Sequence, residues 1–257
     1  MPHQDRPSSS RPLRPWLRSL GEIAAALVVI TVGKAAIAEP YYVPSGSMEP
    51  TLLIGDGLLA TKYPYGYSSA SLPASLVLPR TERLFGAVPE RGDIVVFRWS
   101  GDRSQVWVKR VVGLPGERIE MRAGQLWIDG RPVRLQPDGE SAIENGDGST
   151  ISAQRYVETL PNGREHPILK LAGRQPLDDM PAVTVPPGHL FVMGDNRDDS
   201  ADSRVAVDQG GAGALPVADV IGRVDAVVGS WNPAVTRGPA WEWPAGLRLS
   251  RFFSAVR

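Results

Sequence analysis

Cysteine is absent from the 257 residues. That excludes disulfides, thiol nucleophiles and Cys-ligated metals, and leaves the compartment open. Histidine is nearly absent: His3, His166 and His189 are the only imidazoles, and none stands at metal-ligand spacing from another. Net charge is missing too. Lys+Arg and Asp+Glu both count 28, so the chain has no electrostatic footprint for nucleic acid. Past residue 50 no segment shows a long helical period. What is present is 42% hydrophobic and 22% charged, enough for one sizeable core or two small ones. The 24 prolines and 27 glycines favour a turn-rich β protein.

Residues 20–38 form the only long apolar run. As a helix it would be about 28 Å long, close to the hydrocarbon thickness of a bilayer. Residues 1–19 carry Arg6, Arg11, Arg14 and Arg18 against Asp5, among Pro and Ser, the composition of a disordered basic tail. Trp16 and Tyr41-Tyr42 flank the run as interface residues do, and Glu22 and Lys34 lie close enough to its ends to reach headgroups. The next basic residue after Lys34 is Lys62. The positive-inside rule therefore places 1–19 in the cytoplasm, a single-pass anchor over 20–38, and 39–257 on the other side. The basic start and Ala36-Ile37-Ala38 also suit a cleavable signal peptide. The length of the run and the position of Lys34 favour a retained anchor.

Beyond the run the patterns are short and β-like. Expected strands are Gly57–Thr61, Ile94–Trp99, Val106–Val112, Arg118–Met121 and Gln125–Ile128, with a turn at Asp129-Gly130. Ile151–Val157, Ile168–Leu171, Leu190–Met193 and Val220–Val228 follow. The fold class expected is mainly β: an antiparallel β domain after one N-terminal transmembrane helix. Residues 63–90 read as a long loop, and residues 134–186 as a polar, β-rich insertion within the domain.

Three stretches carry chemistry. In Pro44-Ser45-Gly46-Ser47-Met48-Glu49-Pro50-Thr51, two serines flank a glycine in a proline-braced segment, which puts both hydroxyls on one side. The same composition suits an ordinary loop. In Val106–Val112, alternation puts Trp107, Lys109 and Val111 on one face and Val108, Arg110 and Val112 on the other. A lysine among apolar neighbours loses its proton more readily and becomes a competent base for a serine hydroxyl. The alternative is an edge lysine that discourages aggregation. In Gly194–Arg204, Asp195, Asp198, Asp199 and Asp202 alternate with Arg197 and Arg204. The spacing does not match an EF-hand, and the arginines make ion pairs a better reading than a calcium loop.

Together these stretches resemble the type I signal peptidases of bacteria, the membrane-anchored serine proteases that remove signal peptides. Pro44–Thr51 is similar to the box holding the nucleophile, Arg91–Phe97 to the strand that follows, and Lys109–Gly116 to the box with the general-base lysine. Gly194–Arg204 resembles the last box, and Trp243–Leu249 fits the end of the domain. The resemblance implies Ser47 as nucleophile, Lys109 as general base, and Ser45 with the Ser47 N–H as oxyanion hole. It implies that Ser200 hydrogen-bonds and orients the Lys109 amine, that Asp202 and Arg204 brace the loop, and that Val43 and Val108 line pockets for small side chains at −3 and −1. The expected partners are preprotein signal peptides and the bilayer of a bacterial cytoplasmic membrane. No cofactor, metal or nucleic acid is expected. The chain departs from the family at Ala214-Leu215, where an aromatic residue and Val are common, and the 134–186 insertion has no counterpart. Two rivals stand beside this reading: a triad with His189 as base and Asp195 as its orienter, and an anchored, non-enzymatic binding or scaffold module.

Overall fold

The structure, a computed structural model, describes residues 19–23, 37–72, 78–144 and 150–256. Residues 1–18 of the expected basic tail and residues 24–36 of the expected anchor lie outside the described residues. Among the described residues no helix is long and apolar enough to cross a membrane. Residues 19–23 are helical, but Ala38, expected to end the span, opens a strand. Tyr41 and Tyr42, expected beside the bilayer as the flank of a helix, lie in that strand.

Fifteen strands are described: β1 (Ala38–Tyr42), β2 (Asp56–Thr61), β3 (Ile94–Arg98), β4 (Val106–Gly113), β5 (Arg118–Arg122), β6 (Gln125–Ile128), β7 (Arg131–Pro132), β8 (Arg134–Glu144), β9 (Thr150–Thr159), β10 (Glu165–Leu171), β11 (Met180–Thr184), β12 (His189–Met193), β13 (Leu215–Pro216), β14 (Val220–Ser230) and β15 (Ser254–Ala255). The main sheet runs β1-β2-β14-β3-β4-β12-β13, with β15 on β14. A second sheet runs β11-β5-β6-β7 and a third β10-β9-β8. The pairings are antiparallel, so the expected mainly β, antiparallel class is the one observed.

Alternation explains most of these strands. In β6, Leu126 and Ile128 are buried and Gln125 and Trp127 face outward. Asp129 and Gly130 take φ of 51° and 74°, the positive values that a tight hairpin turn into β7 demands. β3 is buried along its whole length, because one face meets Val43, Met48, Leu52, Leu58 and Ile221 while the other meets Val111, Leu190 and Val192. Each such aliphatic side chain contributes roughly 1.5–3 kcal/mol on burial. The core therefore lies on both sides of the β3–β4 pair, which fixes the strand that carries Lys109.

The 134–186 insertion is integrated into the fold. β11 completes the β5–β7 sheet, and β10 runs against the acidic loop. The Leu169 N–H donates to Asp195 O at 2.9 Å, and the Arg197 N–H donates to Leu169 O at 3.0 Å. Residues 63–90 contain two 3-10 turns, Tyr63–Tyr65 and Ser69–Ser71. The fully buried Arg98 fork fastens this segment through the carbonyls of Ala70 and Leu72.

Candidate active site

Ser47 lies in a 3-10 turn, Gly46–Met48, that follows β1 directly. Met48 and Leu52, both fully buried, pin this turn to the core from below. Lys109 sits in β4 opposite Val95 of β3. Its Nζ stands 2.9 Å from Ser47 Oγ and 3.1 Å from Val108 O. Its stem passes the Trp107 ring, with Nζ 5.6 Å from the centroid, and Trp107 stacks on Trp99 at 4.9 Å. Lys109 is 5% exposed. Burial pushes its amine down to about 8, against the opposing pull of Asp202, Asp195 and Asp199. As a cation it donates to Ser47 Oγ; once neutral, it offers a lone pair to the Ser47 O–H across the same contact.

The acidic loop holds this pair from behind. The Asn196 N–H donates to Ser47 O and its Nδ2 to Gly46 O, both at 3.2 Å. Gly194 permits the approach: a Cβ there would stand 2.4 Å from Ser47 O and 2.3 Å from Ser200 Oγ. Asp202 and Arg204 form a fully buried two-pronged pair at 2.8 and 2.9 Å, and the Gly194 N–H adds a bond to Asp202 Oδ2 at 3.0 Å. Burial alone would raise the Asp202 carboxyl, but Arg204 and the backbone donors hold it below the usual range. Ser47 and Lys109 open into a cleft of about 590 Å³, also lined by Tyr41, Tyr42, Leu58, Val106 and Val108. A buried serine in contact with a lysine of lowered basicity has the geometry that a nucleophile and a general base require.

Residues 16–231 match the family model described as "Signal peptidase, peptidase S26". The chain belongs to this family. The signal peptidase I of Rickettsia typhi is 35% identical over 250 residues, covering 90% of this chain and 89% of that protein. That of Rickettsia prowazekii is 34% identical over 255 residues, covering 92% of each. A crystal structure of a signal peptidase I from Enterococcus faecalis V583 aligns at 26% identity over 52% of this chain and 95% of that one. Its TM-score is 0.31, too low to add to the fold comparison.

The other residues expected at a signal peptidase site are distributed unevenly. Ser45 is exposed, with Oγ 3.5 Å from Ser47 Oγ on the cleft side. Val108 lines the cleft, but Val43 does not. Its backbone pairs with Gly55 and Asp56, which turns the side chain into the core beside Met48, while Tyr42 and Pro44 face the cleft. Ser200 also differs from expectation. It is buried, yet its Oγ has no hydrogen-bond partner among the described residues. The Lys109 amine is engaged by Ser47 and by the Val108 carbonyl instead.

The rival triad does not assemble. His189 is half-buried with Nδ1 2.9 Å from Pro187 O, while Asp195 takes both prongs of Arg110 at 2.8 Å. Sequence reasoning missed how much of the support comes from elsewhere. Thr51, in the nucleophile segment, donates to Asp195. Arg197 forms a buried pair with Glu158 of β9 at 2.6 Å, and His166 of β10 lies 3.3 Å from Glu158 and 3.9 Å from Asp195. Only the charge pattern of Gly194–Arg204 hinted at partners; nothing in the sequence pointed to Glu158. Among the described residues no group of carboxylates and imidazoles converges as a metal ion would need.

Proposed function

We propose that this chain is a membrane-anchored serine endopeptidase that removes signal peptides from exported preproteins, with Ser47 as nucleophile and Lys109 as general base. The observation that carries the reading is the buried 2.9 Å contact between Lys109 Nζ and Ser47 Oγ at the foot of a cleft. Neutral Lys109 takes the hydroxyl proton as Ser47 attacks the carbonyl that follows a small residue. The lysine then gives that proton to the leaving amine, and water, deprotonated by the same amine, hydrolyses the acyl-enzyme. Ser45 Oγ and the Ser47 N–H stabilise the developing oxyanion. Val108, with Tyr42 and Pro44, shapes the cleft for small side chains at −3 and −1. Asp202 and Arg204 hold the loop beneath the pair.

Residues 1–19 remain in the cytoplasm, the following apolar run spans the membrane, and the β domain, beginning at Ala38, lies on the extracytoplasmic side. Its exposed Trp241, Trp243, Leu249, Phe253 and Tyr42 suit contact with the bilayer surface. The reaction needs no metal or cofactor. The test is cleavage of a generic preprotein by the detergent-solubilised chain, with Ser47→Ala as control. Equal cleavage by both would remove Ser47 from the mechanism. Protease added to spheroplasts should digest the β domain; digestion only in inverted vesicles would reverse the topology.

A further inference from the structure

The acidic loop contains four aspartates, and three are taken. Asp195 is held by Arg110, Asp202 by Arg204, and Asp198 accepts the Leu171 N–H at 2.7 Å with Lys170 nearby at 3.8 Å. The fourth, Asp199, has no side-chain hydrogen bond or salt bridge among the described residues, and it is exposed at the wall of the cleft that holds Ser47 and Lys109. The other ionisable groups lining that cleft are Tyr41, Tyr42 and Lys109. The Tyr41 phenol is pushed up by burial and by its bond to Glu39, so it stays neutral. Burial pushes the Asp199 carboxyl up and Lys109 pulls it down, so when Lys109 gives up its proton to act as base, Asp199 keeps its place on the wall with no cation among the residues lining the cleft.

We propose that Asp199 is a specificity-determining residue whose carboxylate favours substrates with a cationic side chain beside the scissile bond and disfavours acidic ones. This rests on the signal peptidase reading above. Small residues required at −3 and −1 leave no room for charge there, which assigns the cation to −2, +1 or +2. Asp199 also acts on the base. Lys109 faces Asp202, Asp195 and Asp199; the first two are neutralised by arginines, so Asp199 is the removable member of the set. It favours the ammonium form and so keeps part of the lysine inactive near neutral pH. A substrate cation offsets that field on binding.

The experiment uses the full chain in detergent and quenched peptides bearing Lys, Gln or Glu at −2, +1 or +2. The wild type should give kcat/KM in the order Lys, Gln, Glu at one or more of these positions. Lys and Glu should differ roughly fivefold at low salt, and by less as salt is added. Asp199→Asn should cleave all three equally. The acidic limb of its rate profile with the Gln peptide should move to lower pH, a shift that a merely structural role would not produce. A flat wild-type series, or an order that survives Asp199→Asn, overturns the proposal. Absence of wild-type cleavage above the Ser47→Ala background overturns both this proposal and the reading beneath it.

Discussion

Lys109 and Arg110 are consecutive buried cations on β4, 5% and 1% exposed, and the fold treats them in opposite ways. Arg110 spends its fork on both oxygens of Asp195 and on Gly92 O. Lys109 is given a hydroxyl and a carbonyl, with no carboxylate at salt-bridge distance among the described residues. The same division runs through the acidic loop, where Arg197 and Arg204 are fully paired. Burying a cation without a partner costs free energy and lowers its pKa, whereas burying a pair leaves both members charged. Around this site the arginines hold the geometry, and the lysine, left alone, is the group able to exchange a proton. A guanidinium does not deprotonate in a protein, and an ammonium does.

The comparison breaks most sharply if the lysine is made an arginine. Lys109→Arg keeps the charge but not the base, so kcat/KM for a preprotein should fall by at least about a thousandfold. Ser47→Ala should match it, and His189→Ala should keep substantial activity. Wild-type rates from Lys109→Arg would end the dyad reading.

A second test breaks a paired member instead. Asp202→Ala leaves Arg204 buried without its carboxylate, and Glu158→Ala does the same to Arg197; each should cost about 3–5 kcal/mol, seen as a fall in Tm. The Glu158 variant decides whether β8–β10 brace the site. An unchanged Tm there would leave the Leu169 backbone bonds to Asp195 and Arg197 as the insertion's hold on the loop.

A third test reverses the sign. Lys109→Met removes the unpaired cation and should stabilise the protein while abolishing cleavage. The lysine titrates at about 8 folded against 10.5 as its ordinary value. Because the folded value is depressed, the stability linked to its titration is complete above about 10.5 and is lost as pH falls through about 8. The gain from Lys109→Met should therefore be largest below that pH, about 3 kcal/mol, and should vanish in strong alkali. Denaturant unfolding at several pH values reads it, and a destabilised variant at neutral pH would contradict the unpaired-lysine account.

What could be read from the sequence follows the same division. The stretches holding Ser47 and Lys109 stood out in the sequence, although their local patterns left a loop and an edge lysine open and only the family resemblance paired the two residues, which the structure brings to 2.9 Å. β6 and its Asp129-Gly130 turn were legible because alternation and positive φ leave signatures in the residues themselves. β8 was not, since its run from Arg134 to Glu144 carries Pro137 and Gly139 and keeps few apolar positions. Val43 was assigned to the cleft by position in a motif, whereas its orientation depends on pairing with Gly55 and Asp56. Glu158 was invisible for a related reason: its partner Arg197 lies far along the chain, and pairing across such separations has no period. The apolar run at 20–38 overlaps β1 at Ala38 alone, because an alanine is equally at home at the end of an apolar run and at the start of a strand.

The smallest effect concerns Ser200, and it sharpens the comparison by asking whether the lysine is supported at all. The family pattern gives Ser200 the task of orienting the Lys109 amine, yet its Oγ bonds to nothing among the described residues and lies close to Gly194. A buried hydroxyl without a partner stabilises little, so Ser200→Ala should change stability by no more than about 1 kcal/mol. If the Val108 carbonyl and Ser47 suffice to hold the amine, kcat should fall less in Ser200→Ala than in Ser45→Ala, where loss of an oxyanion donor is worth roughly 3 kcal/mol. The two variants should be compared at pH 9, where most of the lysine is neutral and a shift in its basicity cannot pass for a loss of orientation. A larger loss in Ser200→Ala than in Ser45→Ala would mean that the hydroxyl turns to the amine once substrate is bound, and that Lys109 is not left alone during the reaction.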